Sequence, residues 1–182
     1  MVMAEATNHY FKHLGVSDGL SQVCIPSIYQ DELGAVWLGT TEGLNRYNGK
    51  DVKVFQPSES NHGLTNNEIN ELCGDKNGRM YIRSGNDLIK LDIYTEQFTC
   101  LRQKGVYGLF CKKDTLWVSC ADGIYYYTGQ GTELTFFARV QKGFVGRALY
   151  VDKETVWVVT RKYLVAISRE DPLRQEILLT LD

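Results

Sequence analysis

Four stretches of the chain align without a gap over eleven residues: Trp37 to Tyr47, Tyr81 to Leu91, Trp117 to Tyr127 and Trp157 to Ile167. Each opens on an aromatic ring, carries Leu44, Leu88, Ile124 or Leu164 seven places on, and ends three places later on Tyr47, Leu91, Tyr127 or Ile167. The opening aromatics stand 44, 36 and 40 residues apart. The repeats are built from short runs of Val, Ile, Tyr, Phe and Trp between Gly, Asn and Asp turns. At a period of roughly 40, such runs specify propeller blades of four antiparallel strands. Helical repeats would need apolar residues every 3.6 positions or so over ten or more residues, and no such run is present.

The expected fold is therefore all-β. It has about four four-stranded antiparallel blades near 24–56, 68–101, 106–140 and 145–181, following a tail at 1–9. In the first repeat the strands are expected near 25–31, 35–40, 43–48 and 52–56. The first two are joined by Asp31-Glu-Leu-Gly34, and Asp75-Lys-Asn-Gly78 stands at the same place in the second repeat. Asp bonds its own backbone two residues on and Gly supplies φ > 0, so both are hairpin turns. A calcium loop at Asp75 lacks the remaining oxygen ligands and the distal Glu. The third and fourth repeats lack the Asp-x-x-Gly turn and keep the Trp and the strands after it.

A second register supports the period. Phe11 precedes Leu20 by nine residues and Phe55 precedes Leu64 by nine, which marks 10–14 as an extra outer strand. The fourth repeat supplies its own outer strand near Arg174 to Leu181, so the expectation is four blades plus one strand. About four blades is the lower limit for a propeller, and an open arc leaves two apolar faces bare. The chain thus reads as the N-terminal fragment of a larger propeller or as an arc that pairs with a second copy.

Net charge is −2, from 20 Lys and Arg against 22 Asp and Glu, which gives no basic surface for nucleic acid. No window of about 18 apolar residues is present, and the first residues lack the basic and apolar segments of an intact signal peptide. The five cysteines, Cys24, Cys73, Cys100, Cys111 and Cys120, have neither C-x-x-C nor zinc-type spacing and read first as small buried hydrophobes.

Gly19-Leu-Ser21, Ile28-Tyr-Gln-Asp31, Gly34-Ala-Val-Trp-Leu-Gly-Thr40 and Glu42-Gly-Leu-Asn-Arg-Tyr-Asn-Gly49 together resemble the two-component regulator propeller repeat. The resemblance extends over about 10–181 and is strongest in the first two repeats. It implies the periplasmic sensor region of a hybrid two-component system, in which propellers detect oligosaccharides and control utilisation genes. The family's kinase, receiver and DNA-binding parts have no counterpart in these 182 residues, so this chain is expected to be non-catalytic.

Catalytic chemistry finds few footholds. His9 and His13 fall on an expected strand, where i, i+4 spacing does not converge on a metal, and His62 stands alone. Gly-x-Ser-x-Gly, Walker and His-Glu-x-x-His motifs are absent. Glu32-x-Gly34-x-x-Trp37 loosely resembles the Asp-box hairpin of sialidase-like propellers, but a glycosidase site would also need arginines gathered around a nucleophile. Because Trp37, Tyr81, Trp117 and Trp157 recur at one place, with Leu44, Leu88, Ile124 and Leu164, they read as inter-blade core rather than as sugar platforms.

Binding residues should instead vary between blades and lie on loops. The candidates are Asn61, His62, Asn66 and Asn67 entering the second blade, Arg83 and Asn86 near its second hairpin, Arg147 entering the fourth, and Arg161. No catalytic residue, metal or cofactor is expected. The partners expected are an oligosaccharide, the remaining blades of a parent chain, or a second copy. The other readings are a WD40-type structural or protein-interaction propeller and a sialidase-like or lyase-like enzyme.

Overall fold

The computed structural model describes residues 12–57, 63–140, 146 and 148–181. Among these residues sixteen strands fall into four antiparallel sheets, each a meander of consecutive strands. Blade one is β1 (Ser27–Gln30), β2 (Val36–Thr40), β3 (Gly43–Tyr47) and β4 (Val52–Phe55). Blade two is β5 (Ile69–Gly74), β6 (Arg79–Ser84), β7 (Asp87–Asp92) and β8 (Gln97–Arg102). Blade three is β9 (Val106–Lys112), β10 (Thr115–Cys120), β11 (Gly123–Tyr127) and β12 (Thr135–Ala138). Blade four is β13 (Ala148–Val151), β14 (Thr155–Val159), β15 (Tyr163–Ser168) and β16 (Gln175–Thr180).

The first strand of each blade lies against the first strand of the next, β1 on β5, β5 on β9 and β9 on β13. These inner strands form the side where the blades converge. Each junction then carries its own apolar cluster. Trp37, Leu44 and Phe55 of blade one pack with Ile69, Leu72, Met80 and Ile82 of blade two. Tyr81 and Leu88 pack with Leu109, Leu116 and Val118 of blade three. Trp117 and Ile124 pack with Val151, Val156, Val158 and Ile167 of blade four. In blades one to three the opening aromatic and the aliphatic seven places on point toward the following blade, while Leu91, Tyr127 and Ile167, three places further, pack toward the preceding one.

Period-two alternation explains the direction, since cross-strand partners share a face and a one-residue slip would turn every apolar group outward. Among the described residues no sheet packs on the outer face of blade four, and Trp157 and Leu164 are only half-buried. On its neighbouring strand Ile177, Leu178 and Leu179 stay exposed.

The outer strand expected at 10–14 is not formed by residues 12–14. Lys12 instead reaches the Tyr47 hydroxyl, and the chain enters a 3₁₀ turn at Val16–Asp18, whose i to i+3 bonds take the place of strand pairing. Residues 10 and 11 lie outside the described residues. Leu20 and Ser21 then cover the upstream face of blade one, where the Ser21 amide donates to Asn45 Oδ1 and the Ser21 and Thr40 hydroxyls lie 2.8 Å apart.

Candidate functional site

An up-and-down meander places two sets of loops at one end of the array: those between blades, and the hairpins joining second and third strands. Main-chain bonds stitch this rim together. Gly43 N–H donates to the Asn67 carbonyl, Gly85 N–H to Glu68, Val106 N–H to Asn86 and Ala121 N–H to Gly105, at 2.7 to 3.0 Å. These bonds meet the rule that backbone groups near a core find partners, and they leave the rim side chains available for a ligand.

Of the candidate residues, Asn66, Asn67 and Asn86 are exposed on this rim. The Asn66 side chain caps the Glu68 amide, its own amide donates to the Ser84 hydroxyl, and that hydroxyl donates back to the Asn66 carbonyl. Asn67 and Asn86 contribute their carbonyls to the stitching. Arg161 is exposed on the β14–β15 hairpin, two blades from Arg83. Asn61, His62 and Arg147 lie outside the described residues.

Arg83 differs from these because it is 8% exposed. Its Nε donates to Glu71 Oε2 at 3.4 Å and its Nη1 to the Gly85 carbonyl at 3.1 Å, where Asn70 Nδ2 also donates at 3.2 Å. Glu71 Oε2 accepts in addition from the Leu109 amide of blade three, at 3.1 Å. Burial pushes the Glu71 carboxyl up, while Arg83 and the Leu109 amide oppose the shift. The pair bridges the inner strand β5 and its neighbour β6, where Glu71 and Arg83 are cross-strand partners and the ladder is irregular between Ile69 and Glu71, bringing Asn70 to the rim. The sequence names Arg83 as a candidate but not Glu71 or Asn70, whose signal is a pair of polar residues interrupting an otherwise apolar inner strand.

The opposite end carries the first-to-second strand hairpins. Asp31 accepts from the amides of Leu33 and Ala35 and, at 2.8 Å, from the Trp37 indole. Blade four repeats the device, with Asp152 accepting from the Trp157 indole at 2.7 Å, although the sequence reading had placed no such turn there. Blade two has Tyr81 in place of Trp, and Asp75 is paired by Arg79 instead. Asp75 is thus committed to Arg79 and the Asn77 amide, and no cluster of metal-ligating side chains is present among the described residues.

Two concavities lie toward this end. One of about 500 Å³ is lined by Glu154, Ser168, Glu170, Arg174 and Glu176. The other, of about 280 Å³, is lined by Trp117, Tyr126 and Phe137 under Arg169. Trp117 is 5% exposed, which makes it packing rather than a platform for a sugar.

Residues 19–42 match the family described as Two component regulator propeller. A curated relative, "Histidine kinase P4" of Formosa agariphila, is 40% identical over 53 residues, which is 29% of this chain and 4% of that protein. The extracellular domain assigned to the hybrid two component system BT3049 of B. thetaiotaomicron superposes with a TM-score of 0.76 at 21% identity, over 92% of this chain and 26% of that one. The corresponding domain of BT4673 gives 0.64 at 21% identity, over 85% of this chain and 21% of that one. The chain therefore spans about a quarter of each of these two solved domains, and their likeness shows the propeller-blade fold. Within that fold residues 19–42, from the first blade's approach to its second hairpin, are similar to the two component regulator propeller repeat.

Proposed function

We propose that these blades are a non-catalytic part of the extracytoplasmic sensor region of a hybrid two-component protein, and that they contribute to recognition of an oligosaccharide at the rim. The observation that carries the ligand reading is the Arg83–Glu71 pair, held nearly buried at the converging end and flanked by Asn70 and the exposed Asn86. A guanidinium, a carboxylate and amides offer the mixture of donors and acceptors that adjacent sugar hydroxyls require. Binding would act by shifting a conformational equilibrium, which calls for no bond cleavage.

The test is calorimetric titration of the protein with a panel of oligosaccharides, followed by mass analysis of the sugar. Saturable binding with the sugar unchanged is expected, and Arg83→Ala should weaken it roughly tenfold or more, since hydrogen bonds to charged groups contribute about 1.5–3 kcal/mol. Cleaved sugar would overturn the non-catalytic reading, and full affinity in Arg83→Ala would move the site off blade two. The half-buried Trp157 and Leu164 further support a following blade of a longer parent chain against blade four. A stable dimer in light scattering would replace that blade with a second copy.

A further inference from the structure

Neighbouring inner strands meet at one repeated register position. Tyr29, Cys73 and Phe110 are the cross-strand partners of Trp37, Tyr81 and Trp117. Facing them on the next blade are Gly74, Cys111 and Val151, each paired with the residue just before that blade's opening aromatic. Between blades one and two the Tyr29 hydroxyl lies over Gly74 so closely that a Cβ there would come within 2.2 Å of it. Between blades three and four Phe110 packs into the cluster that holds Val151. Between blades two and three the position holds two thiols, with Cys73 Sγ and Cys111 Sγ 2.7 Å apart. Non-bonded carbon atoms rest at about 3.5–4.0 Å and bonded sulfurs at about 2.05 Å.

We propose that Cys73 and Cys111 are a covalent cross-linking site, joined as a disulfide between blades two and three when the chain meets an oxidant of the disulfide class. Both residues are half-buried, and among the described residues no other two sulfurs are in hydrogen-bonding contact. Burial, with Cys111 beside it, holds the Cys73 thiol well above its ordinary range, so Cys73 is the poorer first nucleophile. Cys111, as thiolate, attacks one sulfur of the oxidant's disulfide and releases the other as a thiol. Cys73 then loses its proton, displaces the remaining oxidant sulfur from Cys111 and closes the bond. Two protein thiols become one disulfide while one oxidant disulfide becomes two thiols, so atoms and electrons balance. The link would clamp the array on its converging side, near the rim pair, where only packing and hydrogen bonds otherwise join blade to blade.

The experiment treats the 182-residue chain with oxidised glutathione, denatures it, alkylates it with iodoacetamide and maps its peptides without reduction. A Cys73–Cys111 linked peptide is expected, with Cys24, Cys100 and Cys120 alkylated. For a closure spanning 38 residues the oxidised chain should melt about 10 °C above the reduced one. In Cys111→Ser the link should vanish and Cys73 should become alkylated. Five alkylated cysteines in the wild-type chain, glutathione left on Cys73 or Cys111 without the link, or a link to another cysteine would each overturn the proposal. The mapping reads the wild-type chain and the chemistry is done in vitro, so the outcome depends neither on a variant's folding nor on the sensor reading.

Discussion

Blade one and blade four carry the same Trp and Leu at the first two repeat positions, yet Trp37 is fully buried and Trp157 only half-buried. Both indoles donate to an Asp of the preceding hairpin. The difference lies in what packs on the ring: Trp37 has blade two against it, stacks on Phe55 at 5.7 Å and lies under Arg46, whereas among the described residues no further sheet packs on Trp157. A repeat motif therefore fixes which way a side chain points, and the neighbouring unit decides how much that orientation contributes to stability.

The largest expected effect breaks this comparison directly. Trp37→Ala should cost about 3–5 kcal/mol, because it opens a cavity between two blades and strands the Asp31 carboxylate. Trp157→Ala should cost less than half as much. Urea midpoints of the two variants measure the contrast. Equal losses would mean that blade four's outer face is covered in solution, and the comparison would fail.

The hairpin Asp sharpens it further. Asp31 is 4% exposed and satisfies two amides and an indole, so Asp31→Ala leaves buried donors unpaired at about 1–3 kcal/mol. Asp152 makes a similar set of bonds, from Glu154, Thr155 and Trp157, but is only half-buried. Those bonds hold its carboxyl below the usual range, so its contribution is present above the unfolded pKa and lost as pH falls through the folded one. Asp152→Ala should lower the denaturation midpoint near neutral pH by less than Asp31→Ala does, and the gap from wild type should close as pH falls through the carboxylate range. A midpoint loss as large as that of Asp31→Ala would show that exposure does not separate the two hairpins.

The repeat positions were readable because each blade buries its aromatic and aliphatic groups in the same way, so the period survives in side-chain type. The Asp152 hairpin was not readable. Asp31 precedes its Trp by six residues and Asp152 by five, and the Asp-x-x-Gly spacing that marks the longer turn cannot mark the shorter one. Arg79 replaces an indole donor by a guanidinium two places away, a swap of chemistry that no spacing rule records. The rim was legible only as loops: Asn66, Asn67 and Asn86 were found by position, while Glu71 and Asn70 lie on a strand that the pattern assigns to packing. Cys73 and Cys111 are joined by register across a junction, which is invisible until neighbouring blades are placed side by side.

A second comparison runs along the rim and carries the smallest effect. Blade two's Arg83–Glu71 pair is largely enclosed, and burial raises the Glu71 carboxyl. The Arg102–Asp122 pair, at 2.7 Å, is more open: Asp122 is 47% exposed, and its bonds to Arg102 and Tyr125 outweigh a modest burial to lower its carboxyl. The two carboxylates therefore act on stability in opposite senses. For Glu71 the folded chain holds the proton more tightly than the unfolded chain does. Its contribution is complete below the unfolded pKa of about 4.3 and is lost as pH rises through the raised folded value. For Asp122 the contribution is complete above the unfolded value and is lost as pH falls. Glu71→Gln keeps an oxygen for the Leu109 amide but cannot titrate, so melting temperatures taken from pH 4 to pH 7 should lose the decline that Glu71 imposes on the wild type. Asp122→Asn should change the profile in the other direction, by a smaller amount given its exposure. Parallel profiles for wild type and Glu71→Gln would mean that water reaches the pair freely, and the enclosure that distinguishes blade two's rim from blade three's would have no energetic consequence.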